Sequence, residues 1–163
     1  MKKIIKIFIV FVAILSLSGC TTKKESSAKI IMTRISCNKE VNDVNEDVKY
    51  YINLSLDQNN KVSVYEEVAK HTIKYDAYYN EMCNNLSKKY SSSIYNSDIK
   101  SIVRCDEDSK TIYDDNYYDI SKISSVEDLP ETDFKAFIND DFILDRSGYI
   151  EILKTINYTC ISK

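Results

Sequence analysis

The sequence predicts an α+β domain in which an antiparallel sheet of two hairpins plus edge strands packs on one main helix and a C-terminal helix. Apolar and polar residues alternate over residues 50–57 and again over 61–68, as in half-buried strands. Apolar residues recur with helical spacing over 75–90, and a second helical stretch occupies 146–156. Strands that pair locally, combined with separate helices, are typical of α+β folds.

Residues 1–19 have the features of a secretory signal. Three lysines precede an unbroken apolar run over residues 7–15, without any acidic residue. The run is shorter than the roughly 20 apolar residues that a membrane span needs. Leu17-Ser18-Gly19-Cys20 looks like the lipobox of bacterial lipoproteins, which implies that Cys20 is lipidated and becomes the mature N-terminus. A plain signal peptide and a simple membrane anchor are the alternatives.

The rest of the chain suits a single α+β domain at residues 30–163, behind a lipidated cysteine and a disordered tether at 20–29. Folded structure is expected to begin near Ile30 or Thr33. Residues 1–19 hold three of the 22 basic residues and none of the 25 acidic ones, so cleavage leaves 19 against 25, a formal charge of −6. An acidic domain is a poor candidate for binding nucleic acid.

The first hairpin is predicted around a turn at residues 58–60, because asparagine tolerates positive φ. Glu66 and Glu67 would point to opposite faces of a regular strand, so a bulge is expected there. The residues expected to point inward are Ile52, Leu54, Leu56, Val62 and Val64.

The main helix and the second hairpin follow. The helical stripe over residues 75–90 contains Tyr75, Tyr78, Tyr79, Met82, Cys83, Leu86 and Tyr90. The second hairpin consists of a strand at 98–105, a turn at 106–109 and a strand at 111–120. Ile99, Ser101, Val103 and Cys105 share one face of its first strand.

The C-terminal part begins after a break at Leu129-Pro130. Residues 132–138 are predicted to form a short helix. Asp145 is the expected N-cap of the last helix, and Asn157 is its expected left-handed stop. The short segment at residues 158–161 is predicted to form a closing strand.

Besides Cys20, the chain has four cysteines, and an even number in an exported domain favours two disulfides. Zinc is not expected, because the sequence has no Cys-x-x-Cys pair and only one histidine. Cys83 and Cys105 are expected in the same helix–sheet layer, so we expect them to form a disulfide with each other. Cys37 and Cys160 then remain, and their bond would close a loop of 123 residues. In the chain-entropy model, closing a loop of this length stabilises the folded protein by on the order of 4–5 kcal/mol. The alternative is that Cys83 and Cys105 are reduced core residues.

The order of elements in a chain with this signal resembles the YehR-like small bacterial lipoproteins. Ser36-Cys37 and Thr159-Cys160 lie where such relatives carry cysteines. Residues 61–66 look like their charged second strand, and residues 118–123 look like the end of their second hairpin. The resemblance covers roughly residues 33–161. It implies a sheet packed on helices, and it implies no activity and no catalytic residue, because the family is uncharacterised.

Three groups of residues could carry chemistry. His71 is the only histidine, and the default for it is a solvent-facing position on a strand. Asp114-Asp115, and Asp140-Asp141 with Asp145, could be carboxylate pairs or a calcium site, but strand neighbours diverge and no EF-hand register is present. Thirteen tyrosines could form a glycan-binding face, with Tyr50-Tyr51 and Tyr117-Tyr118 each placing one ring on either face of the sheet.

These features favour an extracytoplasmic lipoprotein, anchored to the bacterial cell membrane through Cys20, that acts as a small binding or interaction module of the cell envelope. No catalytic activity, cofactor or metal is expected. The expected partners are the membrane and an envelope protein or glycan, and not nucleic acid. An accessory lipoprotein of an envelope transport system, or a calcium- or glycan-binding surface domain, is the alternative. An envelope enzyme is the least favoured class.

Overall fold

The described part of the chain folds around a six-stranded antiparallel sheet. The computed structural model describes residues 32–91, 98–130 and 132–163, so the predicted signal peptide, Cys20, the tether and Ile30 lie outside the described residues. The strands are β1 (Thr33–Asn42), β2 (Glu46–Leu56), β3 (Val62–Ile73), β4 (Ile99–Asp106), β5 (Thr111–Tyr118) and β6 (Thr159–Ser162). Their order across the sheet is β4-β5-β3-β2-β1-β6.

The sheet confirms the predicted α+β class, and it refines the arrangement of the strands. Strands β1, β2 and β3 form a meander, with β1 paired to β2 along its whole length. The β4–β5 hairpin joins this meander through pairing of β5 with β3. Strand β6 returns to pair with β1. The edges of the sheet are therefore β4 and β6, and β1 is an interior strand.

The turn of the first hairpin lies where the sequence predicts it. Asn60 adopts φ 62°, and the Asp57 carboxylate accepts hydrogen bonds from the backbone N–H groups of Asn59 at 2.7 Å and Lys61 at 3.0 Å. These bonds satisfy backbone donors that the tight turn leaves without strand partners.

The prediction that Val64 points inward was wrong. The β2–β3 register shifts between Ser55 and Leu56, so that Leu56 lies opposite Val62 while Ser55 lies opposite Val64. The irregularity therefore turns Val64 outward and brings Tyr65 into the core. It replaces the bulge predicted at Glu66 and Glu67, which pair regularly with Asn53 and Ile52.

Helices α1 (Asp76–Ser91) and α2 (Arg146–Thr155) both pack on one face of the sheet, which we call the covered face. In α1, Tyr79 is buried, and Met82, Cys83 and Leu86 pack beside it as predicted. Tyr75 does not belong to this stripe, because it precedes the first helical residue and is 54% exposed. The side chain of Tyr90 lies outside the described residues.

The C-terminal elements agree closely with the sequence prediction. The Asp145 carboxylate accepts a hydrogen bond from the Gly148 N–H at 3.0 Å and caps α2, and Asn157 ends the last turn at φ 68°. The expected helix at 132–138 is a 3-10 segment, Asp133–Phe137. Two further 3-10 segments, Ile120–Lys122 and Val126–Asp128, line the connection from β5. Within the described ranges no helix is long and apolar enough to cross a membrane.

The core consists of two apolar clusters at different ends of the covered face. The larger one joins β1, β2 and β3 to α2 and the 3-10 segments; its most buried members include Ile35, Leu54, Leu56, Phe134 and Tyr149. The smaller one lies under α1 and is built around Ile73, Tyr79 and Ile112. Between the two clusters lies a band of the covered face that includes polar side chains.

Each cluster lies beside a disulfide. Cys37 lies directly opposite Cys160 in the β1–β6 pair, with an S–S distance of 2.06 Å. Cys83 of α1 is joined to Cys105 of β4, whose side chain shares the covered face with Ile99, Ser101 and Val103. These are the two pairs that the sequence analysis predicts.

Candidate functional site

The band between the two apolar clusters carries Glu67, Asp114 and Asn116 on β3 and β5, where a sheet core ordinarily carries apolar side chains. One row across β2, β3 and β5 consists of Tyr50, Ala69 and Asp114, with Ala69 paired to both of the others. In the next row, Glu67 lies between Ile52 and Asn116. Strand alternation puts both rows on the covered face, because residues 67 and 69 have the same parity as buried Tyr65. The two rows form the floor of a depression that we call the trough.

The trough has two compartments with volumes of about 370 and 500 Å³. They share Tyr50, Glu67 and Thr132. The wall of the first compartment comes from α2 and the segment that follows it, through Tyr149, Leu153, Ile156 and Tyr158. The wall of the second comes from α1, through Met82, Leu86 and Lys89. Both volumes fall within the range of small-molecule sites.

Glu67 lies where the two compartments meet. Its carboxylate accepts a hydrogen bond from the Tyr65 hydroxyl at 3.2 Å, and the Tyr149 hydroxyl is hydrogen-bonded to the same tyrosine. Within the part of the chain that the structure describes, Glu67 has no salt-bridge partner. Burial raises the pKa of this carboxyl group and is the largest cause of the shift, the hydrogen bond from Tyr65 and the charge of Lys39 lower it, and the nearby carboxylates of Asp114 and Asp133 raise it.

A lysine ammonium group lies against two tyrosine rings at the side of the first compartment. The Lys39 Nζ atom is 4.9 Å from the centroid of the Tyr50 ring and 4.6 Å from that of Tyr158. The negative faces of aromatic rings attract cations at such distances. Burial raises the pKa of the Tyr50 hydroxyl and that of the Tyr158 hydroxyl, so both rings remain neutral at physiological pH.

His71 is buried, with 8% of its surface exposed, so the prediction that it faces solvent was wrong. Strand parity places it on the covered face, where its Nδ1 atom lies 2.6 Å from Glu46 Oε2. The Tyr78 hydroxyl donates to the other oxygen of Glu46 at 3.4 Å. This network connects β2, β3 and α1, and its His71 lines the second compartment.

The predicted carboxylate pairs do not converge. Asp114 lies on the covered face, and Asp115 lies on the opposite, open face, because neighbouring strand residues diverge. Asp145 caps α2, while Asp140 and Asp141 lie in an exposed turn. Among the described residues, no three His, Cys, Asp or Glu side chains are grouped to hold a metal ion.

The tyrosines divide between core and surface. Tyr65 stacks on Tyr118 and on Phe134, with ring centroids 5.5 and 4.5 Å apart, so it belongs to the core. Tyr50 and Tyr158 line the trough. The pairs at residues 50–51 and 117–118 place one ring on each face, as predicted, so Tyr51 and Tyr117 lie on the open face.

Two other depressions lie outside the trough in the described part of the chain. One of them, about 670 Å³, lies along one side of α2 and is lined by residues of that helix. A smaller one, about 260 Å³, lies on the open face beside Asp115. The Asp115 Oδ1 atom is buried there without a hydrogen-bond partner among the described residues, and burial raises the pKa of this carboxyl group.

Sequence reasoning did not find the trough, although one signal for it was present. Two consecutive glutamates in the middle of an interior strand mean that one of them must face the core side of the sheet. No family model, curated protein or solved structure matches this chain.

Proposed function

We propose that this protein is a membrane-anchored extracytoplasmic lipoprotein that acts as a small binding module of the cell envelope, with the trough as its binding site. The observation that carries the proposal is the polar band that interrupts the core on the covered face. A sheet face enclosed by two helices ordinarily gains stability from apolar packing. Here that surface is given to Glu67, Asp114 and Asn116.

The anchor part of the proposal rests on the sequence. A basic segment, an apolar run and Leu17-Ser18-Gly19-Cys20 together favour export and lipidation, and the two disulfides are suited to an oxidising compartment. The resemblance to YehR-like lipoproteins is part of the same proposal. We propose no catalytic role for the trough, because His71 is held by Glu46 and no nucleophile is placed beside it among the described lining residues.

A glycan is one candidate class of ligand for the trough, and the composition of the trough favours a glycan over calcium. Tyrosine rings can stack on sugars, and mixed donors and acceptors such as Asn116, Thr132 and Asp133 can bind hydroxyl groups.

The proposal is tested by filling the trough. Ala69 lies on its floor, so Ala69→Trp is expected to occlude the second compartment, while Val68→Trp alters the open face at the neighbouring residue. The full-length lipoprotein in detergent is mixed separately with an envelope lipid extract, a cell-wall digest and the low-molecular-weight envelope pool, and its melting temperature is measured.

One of these fractions is expected to raise the melting temperature of the parent and of Val68→Trp, because a ligand that binds only the folded state stabilises it. The same fraction should leave Ala69→Trp unchanged. The proposal fails if none of the fractions stabilises the parent, or if the parent and Ala69→Trp respond equally.

A further inference from the structure

We propose that the trough binds a primary ammonium group of a small elongated ligand, with the Glu67 carboxylate as its counter-ion and the Tyr50 ring as a neighbouring apolar and cation-attracting surface. This inference rests on the proposed function of the trough, and it adds the chemistry of the ligand. Amino sugars and linear polyamines are the two sources of such a group.

The incomplete pairing of Glu67 is the first argument. The side chain is largely buried, accepts one described hydrogen bond, from Tyr65, and has no salt-bridge partner within the described ranges. A carboxylate has two oxygens and about four acceptor sites, so most of its capacity is left for another donor. Burying a charge with so little compensation costs stability, and a cationic ligand would supply the compensation.

The position of Glu67 is the second argument. It is the carboxylate that lines both compartments, at the point where they meet. Asp133 lines the first compartment and Asp114 lines the second, so a ligand lying along the trough would pass acidic groups on either side of Glu67. An anionic ligand in the same position would place its charge against Glu67, because Lys39, which lines the first compartment, forms no salt bridge with Glu67.

The position of Lys39 is the third argument. Its ammonium group lies over the rings of Tyr50 and Tyr158, so these rings attract a cation in this geometry, and a ligand ammonium group at Tyr50 would compete with Lys39 for that ring. Tyr50 also lines both compartments beside Glu67, which places an aromatic face next to the carboxylate. An ammonium group between an aromatic ring and a carboxylate gains attraction from both.

The test uses the full-length lipoprotein in detergent at low ionic strength, near neutral pH, with isothermal titration calorimetry. The probes are the glucosamine disaccharide with free amines, its fully N-acetylated form, and spermidine. We expect at least one free-amine probe to bind and the N-acetylated disaccharide not to bind, because acetylation removes the charge. Binding of the disaccharide alone identifies an amino sugar as the source, and binding of spermidine identifies a polyamine.

Matched variants connect the binding to Glu67. Glu67→Gln is expected to weaken it about tenfold or more, because it replaces a charge-assisted hydrogen bond with a neutral one. Glu66→Gln is the control, since Glu66 lies on the open face and accepts a hydrogen bond from Asn53 at 2.8 Å. Tyr50→Ala should weaken binding as well, and Tyr50→Phe should retain it, because the ring rather than the hydroxyl attracts the cation.

The inference is overturned if neither free-amine probe binds, if the N-acetylated disaccharide binds equally well, or if Glu66→Gln and Glu67→Gln have the same effect. If an envelope fraction nevertheless stabilises the parent and not Ala69→Trp, the trough is a binding site for a ligand without an amine, and only the present inference fails. If that experiment fails too, the proposed function fails with it.

Discussion

Glu66 and Glu67 have the same side chain and adjacent positions in β3, yet they lie in different environments. Glu66 faces the open side of the sheet, where Asn53 donates to it. Glu67 faces the trough, where burial raises the pKa of its carboxyl group. The alternation of strand residues is the whole cause of this difference. The two glutamates therefore offer a test of how much stability the folded protein loses by burying a carboxylate in the trough, with Glu66 as the control for Glu67.

Glu67→Gln is expected to raise the melting temperature at neutral pH. Because the pKa of Glu67 is higher in the folded protein than in the unfolded chain, the free energy of unfolding falls as pH rises from below the unfolded pKa through the folded pKa. Glutamine removes this loss and can still accept the hydrogen bond from Tyr65. The gain should shrink below about pH 4, where glutamate is protonated in both states. Thermal unfolding followed by circular dichroism, with Glu66→Gln measured in parallel, checks this. A lower melting temperature for Glu67→Gln at neutral pH would contradict it.

At the scale of single elements, local signals are strongest at the start of α2. Asp145 caps the helix through the Gly148 N–H, and a Cβ atom at residue 148 would clash with the Asp145 carboxylate, which explains the glycine at this position. The sequence predicted this cap because capping depends on residues close in the chain.

Asp145→Ala is expected to lower the free energy of unfolding by about 1 kcal/mol, the usual cost of losing an N-cap. Asp140→Ala, in the exposed turn before the helix, is the control and should have little effect. Denaturant unfolding of both variants gives the comparison. Equal stability of Asp145→Ala and the parent would mean that the cap does not stabilise α2.

The two disulfides are expected to differ in their resistance to reduction. Cys37 is only 1% exposed, whereas Cys105 is exposed at the edge of the sheet. Because exchange requires access of a thiolate to a sulfur, limited reductant under native conditions should open Cys83–Cys105 first. Alkylation followed by peptide mass spectrometry measures the order. Earlier opening of Cys37–Cys160 would contradict the exposures described here, and a Cys37–Cys83 crosslink would overturn the pairing itself.

At the scale of the whole molecule, the sheet is protected against pairing with other chains. Edge strand β4 carries Lys100 and Arg104 on either side of exposed Ile102. Charged residues on an edge strand oppose edge-to-edge association. Edge strand β6 is short, and Arg146 donates a hydrogen bond to Ser162 at its end. The two edges of the sheet are therefore poor sites for aggregation.

The proposed anchor predicts the behaviour of Cys20→Ser. Two acyl chains are needed for stable anchoring, and in the proposed anchor both would be attached through Cys20. The variant should lose incorporation of labelled palmitate and should be released from membranes or mislocalised, as measured by cell fractionation. Parent-like labelling and membrane association of Cys20→Ser would show that Cys20 is not the lipidated residue.

The sequence was informative where structure depends on local periodicity. The strand predicted at residues 50–57, observed as Glu46–Leu56, follows from residues close in the chain, and so do the helical phase of Met82 and Leu86 and the stop at Asn157. The pairing of β5 with β3 and the inward direction of His71 depend on contacts between distant segments. A shifted register near Ser55 also reversed the expected direction of Val64, because one extra residue changes the face.

The trough belongs to the part that could not be predicted. Its floor comes from three strands and its walls from two helices and a 3-10 connection, so no single segment contains its pattern. The adjacent glutamates indicated that an acidic side chain faces inward. They did not indicate that Tyr50, Asp114 and Asn116 would lie beside it.

The most direct test of the central claim is an amide chemical-shift map of the full-length protein in detergent, recorded with the envelope fraction that raises its melting temperature. If the trough is the binding site, the largest perturbations occur at Ala69, Asn116 and Thr132, which lie on its floor and rim. Perturbations centred instead on Tyr51 and Ile102 of the open face would contradict binding in the trough.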